Sequence, residues 1–199
     1  MKFNPRAILF DLDGVIVNSE NVWLISLNKT LEYYNKQNIN VSIFNKRFWG
    51  NDVNNTLKVL NLPKKALDIV NDFYVENIDK VEIFSDVKST LENLNNYKKA
   101  VITNTPKNIA LYLLKKFDIL KYFDFIVTSD DVKYGKPNSE IIIKACNLLN
   151  IKTSEIIIIG DTISDIEAGK SIGSTVIGIK INADYYINKI SDILKLLDL

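Results

Sequence analysis

Five short stretches of unbroken apolar residues punctuate the chain: AILF at 7–10, AVIT at 100–103, FIVT at 125–128, IIIIG at 156–160 and TVIGI at 175–179. None alternates with polar positions, so each predicts a parallel strand covered on both faces. Helical patterns lie between them. IALYLLKKF (109–117) follows Thr105-Pro106, which predicts a capped start with proline in the first position. SEIIIKACNLLN (139–150) predicts a second helix, and Ser164 with Glu167 three residues on predicts a capping box opening a third. The tail SDILKLLDL predicts a closing helix. Strand and helix alternate, which predicts an α/β fold: a Rossmann-like, doubly wound parallel sheet with helices on both faces.

Residues 18–84 break this rhythm. VWLISLNKTLEYYN (22–35), VNNTLKVLNL (53–62) and KALDIVNDFYVENI (65–78) all have amphipathic helical patterns, with no strand among them. The expected organisation is a core made of 1–17 and 85–199 with an all-helical cap, 18–84, inserted over the strand ends. Substrate selection is expected in such a cap.

Composition narrows the chemistry more than the fold. The 199 residues carry 25 Lys and Arg against 24 Asp and Glu, a net charge of +1, so no global field favours nucleic acid or an anionic membrane. No stretch reaches the roughly 18 uncharged apolar residues of a membrane span. The apolar run in MKFNPRAILFDLD is too short for a signal peptide. A single cysteine, Cys146, excludes an internal disulfide and agrees with a reducing, cytoplasmic setting. There is no histidine, which removes Ser-His-Asp triads, histidine bases and histidine-ligated zinc. Hydrolytic chemistry is left to carboxylates, Lys, Ser and Thr.

The carboxylates fall in two clusters. Asp11 and Asp13 follow the first strand, and Asp161 and Asp165 in GDTISD follow the fourth. Singly, turn chemistry or a helix dipole accounts for each. Together they occupy the carboxyl edge of a parallel sheet, where ligands bind in this architecture. An oxygen-only donor set of this kind suits Mg²⁺. Thr103, Asn104 and Thr105 end another strand before a helix, an anion-binding arrangement. Lys136 stands between Gly135 and Pro137, where its direction is restricted. The segment SDIEAGKS (164–171) lacks the first glycine of a nucleotide-binding P-loop, and its acids oppose phosphate there.

In this order and spacing, DLDGVIVNSE, ITNT, YGKP and GDTISD resemble the four motifs of the haloacid dehalogenase superfamily. The helical insertion resembles that of its phosphoglycolate-phosphatase and beta-phosphoglucomutase branch. The resemblance implies a phosphatase acting on a small phosphorylated metabolite. Asp11 would be the nucleophile that becomes an aspartyl-phosphate, Asp13 the acid and base, and Lys136 the charge balance. Thr103 and Asn104 would hold phosphate. Mg²⁺ would be held by Asp11, the backbone carbonyl of Asp13 and Asp161, with Asp165 ordering its shell. Asp13 argues against a dehalogenase, because a departing halide needs no proton. Val53 stands where the mutases carry an arginine, which argues against mutase activity, and Asn18 replaces a more usual aspartate at the expected hinge. The loop Arg47-Phe48-Trp49-Gly50-Asn51 is expected to face the site, with Arg47 and Asn51 as substrate contacts.

Overall fold

A computed structural model of the chain describes residues 3–198. The chain enters through β1 (Ala7–Phe10), turns, and forms the two-residue β2 (Val17–Asn18). Four helices follow: α1 (Glu20–Tyr33), α2 (Val41–Arg47), α3 (Val53–Val59) and α4 (Ala66–Asn77). β3 (Glu82–Ile83) returns antiparallel to β2, so both ends of this helical insertion pass through one short ladder. The sequence pattern gave no strand in 18–84. Two-residue strands carry no periodicity by which they could be recognised.

The remaining elements are α5 (Val87–Asn93), β4 (Lys98–Thr103), α6 (Lys107–Lys116), β5 (Phe125–Thr128), α7 (Glu140–Leu149), β6 (Ile156–Gly160), α8 (Ile163–Lys170), β7 (Thr175–Ile179) and β8 (Tyr185–Ile187). The six-stranded sheet has the order β5-β4-β1-β6-β7-β8, with every neighbouring pair parallel. β1 pairs on both sides, Phe10 lying opposite Val101 and Ile159. The chain builds outward from β1 first through β4 and β5, then through β6, β7 and β8. That reversal leaves a crevice beyond the carboxyl end of β1.

Alternate residues of each central strand feed opposite faces. Ile8, Phe10, Ile157 and Ile159 pack with α5 and α6 on one side. Ala7, Leu9, Ile156 and Ile158 pack with α7 and α8 on the other. The first core runs on through Leu12, Val15 and Ile16 into the insertion at Val22, Leu27 and Phe44.

Four local expectations are corrected. The sheet gains a sixth strand, β8, whose exposed Tyr186 and half-exposed Tyr185 break the apolar run that marked the others. The tail forms a 3-10 helix over Ile190–Lys195, not an α-helix, and Leu199 lies outside the described residues. α6 begins two residues earlier than its apolar pattern and is not capped by Thr105, whose hydroxyl is engaged elsewhere; Asp130 accepts from Lys107 N at 2.8 Å instead. α8 is boxed by Thr162 and Asp165, not by Ser164 and Glu167. Residues 164–170 are therefore helical and form no phosphate-cradling loop. Among the described residues no helix is long and apolar enough to cross a membrane.

Leu9 is fully buried in the middle of the central strand. Leu9→Ala is expected to cost about 2–5 kcal/mol of stability, measured by urea denaturation. A loss below about 1 kcal/mol would mean that this face of the sheet is not close-packed.

Candidate active site

The site begins where β1 ends. Asp11 N still donates to Ile159 O at 2.9 Å, so the ladder holds the backbone rigid up to the first carboxylate. Gly14 then turns the chain with φ +76°, a conformation that favours glycine. A methyl group at Gly14 would overlap the Asp161 carboxylate. The turn after β1 and the loop after β6 can thus approach each other only because that residue has no side chain.

Asp11 is buried, and its Oδ1 accepts from Leu12 N at 2.7 Å and pairs with Lys136 Nζ at 2.8 Å. Lys136 is 1% exposed. Its ammonium reaches Asp165 Oδ1 at 2.6 Å and Ile102 O at 3.1 Å as well. Three N–H donors thus meet three acceptors, the full capacity of a lysine. Asn104 fixes the approach: its side chain accepts from Lys136 N at 2.8 Å and donates to Lys136 O at 2.9 Å. Burial pushes the Asp11 carboxyl well above the usual range, against the pull of Lys136 and with the help of Asp165, Asp161 and Asp13. Burial opposes the charge on Lys136, but Asp11 and Asp165 together hold it above the ordinary lysine range.

Asp165 has no free oxygen. Oδ2 accepts from Thr162 N at 3.1 Å and Thr162 Oγ1 at 2.6 Å, closing the capping box of α8, while Oδ1 holds Lys136. Asp161 is the opposite case. Its Oδ2 accepts from Trp49 Nε1 at 2.9 Å, and its buried Oδ1 has no partner. Burial, and then the neighbouring Asp165, raise the Asp161 carboxyl to about 7. Ligand oxygens of Asp11, Asp161 and Asp165 lie within 4.8 Å of one another. A partnerless buried oxygen among carboxylates fits a divalent cation. Asp11 and Asp161 have oxygens to give it; Asp165 is committed to Lys136 and Thr162.

Four donors converge on Asp13. Oδ1 accepts from Ser19 Oγ and from Trp23 Nε1 at 3.1 Å, while Oδ2 accepts from Thr105 Oγ1 at 2.6 Å and Thr103 Oγ1 at 3.4 Å. Two come from the end of β4 and two from the start of the insertion. Trp23 in turn stacks on Tyr74 of α4, with ring centroids 4.2 Å apart. Neither Ser19 nor Trp23 was expected at the site, and Thr105 was expected to serve an anion and the start of α6 rather than Asp13. A usable signal existed: Ser19 and Trp23 are four apart, hence on one helical face, directly after the acidic motif.

One cavity is bordered by Asp11, Asp13, Thr103, Asn104, Lys136 and Asn51. The loop 48–51 closes over it and touches three separate parts of the floor. Trp49 donates to Asp161, Gly50 O accepts from Asn104 Nδ2 at 3.0 Å, and Asn51 Oδ1 accepts from Ser164 Oγ at 3.1 Å. Gly50, at φ +75°, lies so close to Thr162 that a side chain would collide with it. Arg47 is not on the cavity wall. It is exposed, and its guanidinium lies over the Phe48 ring, 5.4 Å from the centroid.

Residues 8–179 match the sequence model of the haloacid dehalogenase-like hydrolases. The chain belongs to that family. Among similar haloacid dehalogenase-like proteins is a phosphoglycolate phosphatase of Aquifex aeolicus, 30% identical over 97% of each chain. Another is the pyrophosphatase PpaX of Halalkalibacterium halodurans, 32% identical over 92% of this chain and 88% of that one. A solved beta-phosphoglucomutase from Clostridium difficile shares the fold, with a TM-score of 0.83 at 24% identity, covering 95% of this chain and 93% of that one.

Asp161 has a folded-state pKa near 7, above the roughly 3.9 of an unfolded aspartate. Its metal-free folded state therefore binds more protons than the unfolded chain in this window. The stability linked to it is complete at about pH 4 and is lost as pH rises through 7. A cation that binds the carboxylate removes that loss. Mg²⁺ is expected to raise the Tm more at about pH 8 than at about pH 5.5. An equal increment at both would contradict the assignment. Lys136→Met is expected to cost about 3–5 kcal/mol in urea denaturation, because two buried carboxylates lose their cation. Adding Asp165→Asn is expected to recover part of that loss.

Proposed function

We propose that this hydrolase is a Mg²⁺-dependent phosphatase that cleaves a small phosphate monoester through a phosphorylated Asp11. The observation that carries the proposal is the unequal state of the two Asp11 oxygens. Oδ1 is pinned by Leu12 N and Lys136, whereas Oδ2 makes no hydrogen bond among the described residues. A carboxylate held in one orientation with one free oxygen at a cavity is a positioned nucleophile. The names of the Aquifex aeolicus and Halalkalibacterium halodurans relatives support phosphoryl chemistry.

In the first step Asp11 Oδ2 attacks phosphorus, the bond from phosphorus to the ester oxygen breaks, and Asp13 gives that oxygen a proton. In the second, Asp13 takes a proton from water as the water attacks phosphorus. The bond to Asp11 then breaks and inorganic phosphate leaves. The hydroxyls of Ser19, Thr103 and Thr105 can either donate or accept, so Asp13 keeps partners in both protonation states. Lys136 balances the charge of Asp11 and the transferring group, and Asp165 positions Lys136. Mg²⁺ would be held by Asp11, Asp161 and the Asp13 carbonyl, which accepts no hydrogen bond among the described residues. When bound it neutralises negative charge on the phosphoryl oxygens. Thr103 is assigned to the phosphate, its hydroxyl turning from the long 3.4 Å contact with Asp13 to a phosphoryl oxygen. Asn104 serves through its backbone, because its side chain is occupied with Lys136 and Gly50. Helices α1 to α4 act as the cap, hinged where β2 and β3 pair beside Asn18.

Phosphate release from a panel of esters, with Mg²⁺ or with chelator, tests this reading. Asp11→Asn is expected to abolish turnover. Asp13→Asn is expected to lower it about 10²–10⁴-fold. With an ester whose leaving group needs no proton, the Asp13 variant should accumulate protein carrying one added phosphoryl group by intact mass. Turnover that survives Asp11→Asn would sink the mechanism.

A further inference from the structure

The roof of the cavity has a different character from its floor. The side chains it draws from the insertion are Trp23, Leu27, Phe44, Phe48, Trp49, Asn51, Val53, Thr56 and Val70. None is charged. The one cation at the cavity, Lys136, already gives its three donors to Asp11, Asp165 and Ile102 O. The polar roof groups are also occupied. Trp23 Nε1 serves Asp13, Trp49 Nε1 serves Asp161, Asn51 bonds Ser164 and the Arg47 carbonyl, and the Gly50 carbonyl takes Asn104. Thr56 is the only polar side chain of the roof without a hydrogen bond among the described residues.

From this we infer that the alcohol half of the substrate is uncharged and largely apolar, an aryl or branched alkyl group carrying at most one polar substituent for Thr56. The inference rests on the phosphatase reading above and extends it to the leaving group. A second anion, whether the carboxylate of phosphoglycolate or the second phosphate of pyrophosphate, would be buried against indole and aliphatic surface with no countercharge. An apolar group gains there by leaving water. The substrates in the names of the two relatives both carry such a second anion, for which this roof offers no countercharge. Val53, at the opening of α3, is the position from which a longer cationic side chain could reach the cavity.

The test compares kcat/KM, with Mg²⁺ and the full chain, for five substrates. Phenyl and isopentyl phosphate form one group; phosphoglycolate, pyrophosphate and a hexose phosphate form the other. Isopentyl phosphate controls for reactivity, because its alkoxide leaves no more readily than that of glycolate. Both apolar esters are expected to exceed the other three by roughly 100-fold. Val53→Arg should shift the ratio of phosphoglycolate to isopentyl phosphate toward phosphoglycolate by about tenfold or more. Equal or faster turnover of phosphoglycolate, pyrophosphate or the hexose phosphate would overturn the inference and leave the phosphatase reading standing. Binding of beryllofluoride, a phosphoryl mimic, is followed in parallel by fluorine NMR. Mg²⁺-dependent binding at Asp11 without turnover of either apolar ester would overturn the inference alone. No binding would overturn the phosphatase reading beneath it.

Discussion

A buried ammonium is tolerated only where acceptors replace its water. Lys136 meets that condition with Asp11, Asp165 and the Ile102 carbonyl, and much of the site follows from it. Four segments far apart in the chain must converge within hydrogen-bond reach of one nitrogen: the end of β1, β4, the loop before α7 and the first turn of α8. The parallel sheet brings their ends to one edge, and Asn104 sets the direction of approach. The same cation leaves Asp11 with one oxygen held and one free, so the contact that allows burial also fixes the orientation of the Asp11 carboxylate.

The insertion is coupled to this floor through two indoles. Trp23 reaches Asp13 and Trp49 reaches Asp161, each supplying a single N–H to a carboxylate. An indole N–H can donate but not accept, so each tryptophan pairs with an oxygen acceptor without bringing in another charge. The remaining surface of these rings, with Phe44, Phe48 and Leu27, makes the roof apolar. The floor is built for charge and the roof for its absence. Charged groups and apolar surface thus come from different parts of the chain, the first from the sheet edge and the second from the insertion.

Much of the architecture was legible in local pattern. Unbroken apolar runs marked five of the six strands of the parallel sheet because strands covered on both faces need apolar residues at every position. β8 escaped because an edge strand with exposed tyrosines has no such need. Ser164 with Glu167 was expected to open α8, but Thr162 with Asp165 has the same spacing, and the outcome between them is not local. Lys136 resolves it. Asp165 must face that lysine, and from there its second oxygen reaches Thr162. Thr105 was a plausible cap for α6 on local grounds, yet its hydroxyl goes to Asp13, and Asp130 from the neighbouring strand end supplies the acceptor.

The sequence by itself determined the chemical repertoire. With no histidine and one cysteine, and with acids placed directly after apolar strands, the groups left for hydrolytic chemistry were carboxylates, Lys, Ser and Thr, with the carboxylates expected at a sheet edge. Those features depend on residue type and on spacing within a few positions, which a linear chain displays directly. The tertiary structure decided what each group is free to do. It placed Asp165 on Lys136 and left Asp161 with an open oxygen. It kept Arg47 out of the cavity and turned two tryptophans onto the acids. Each of those outcomes is a competition among partners dozens of residues apart, settled by which donors and acceptors meet once water is excluded. No local pattern carries that information.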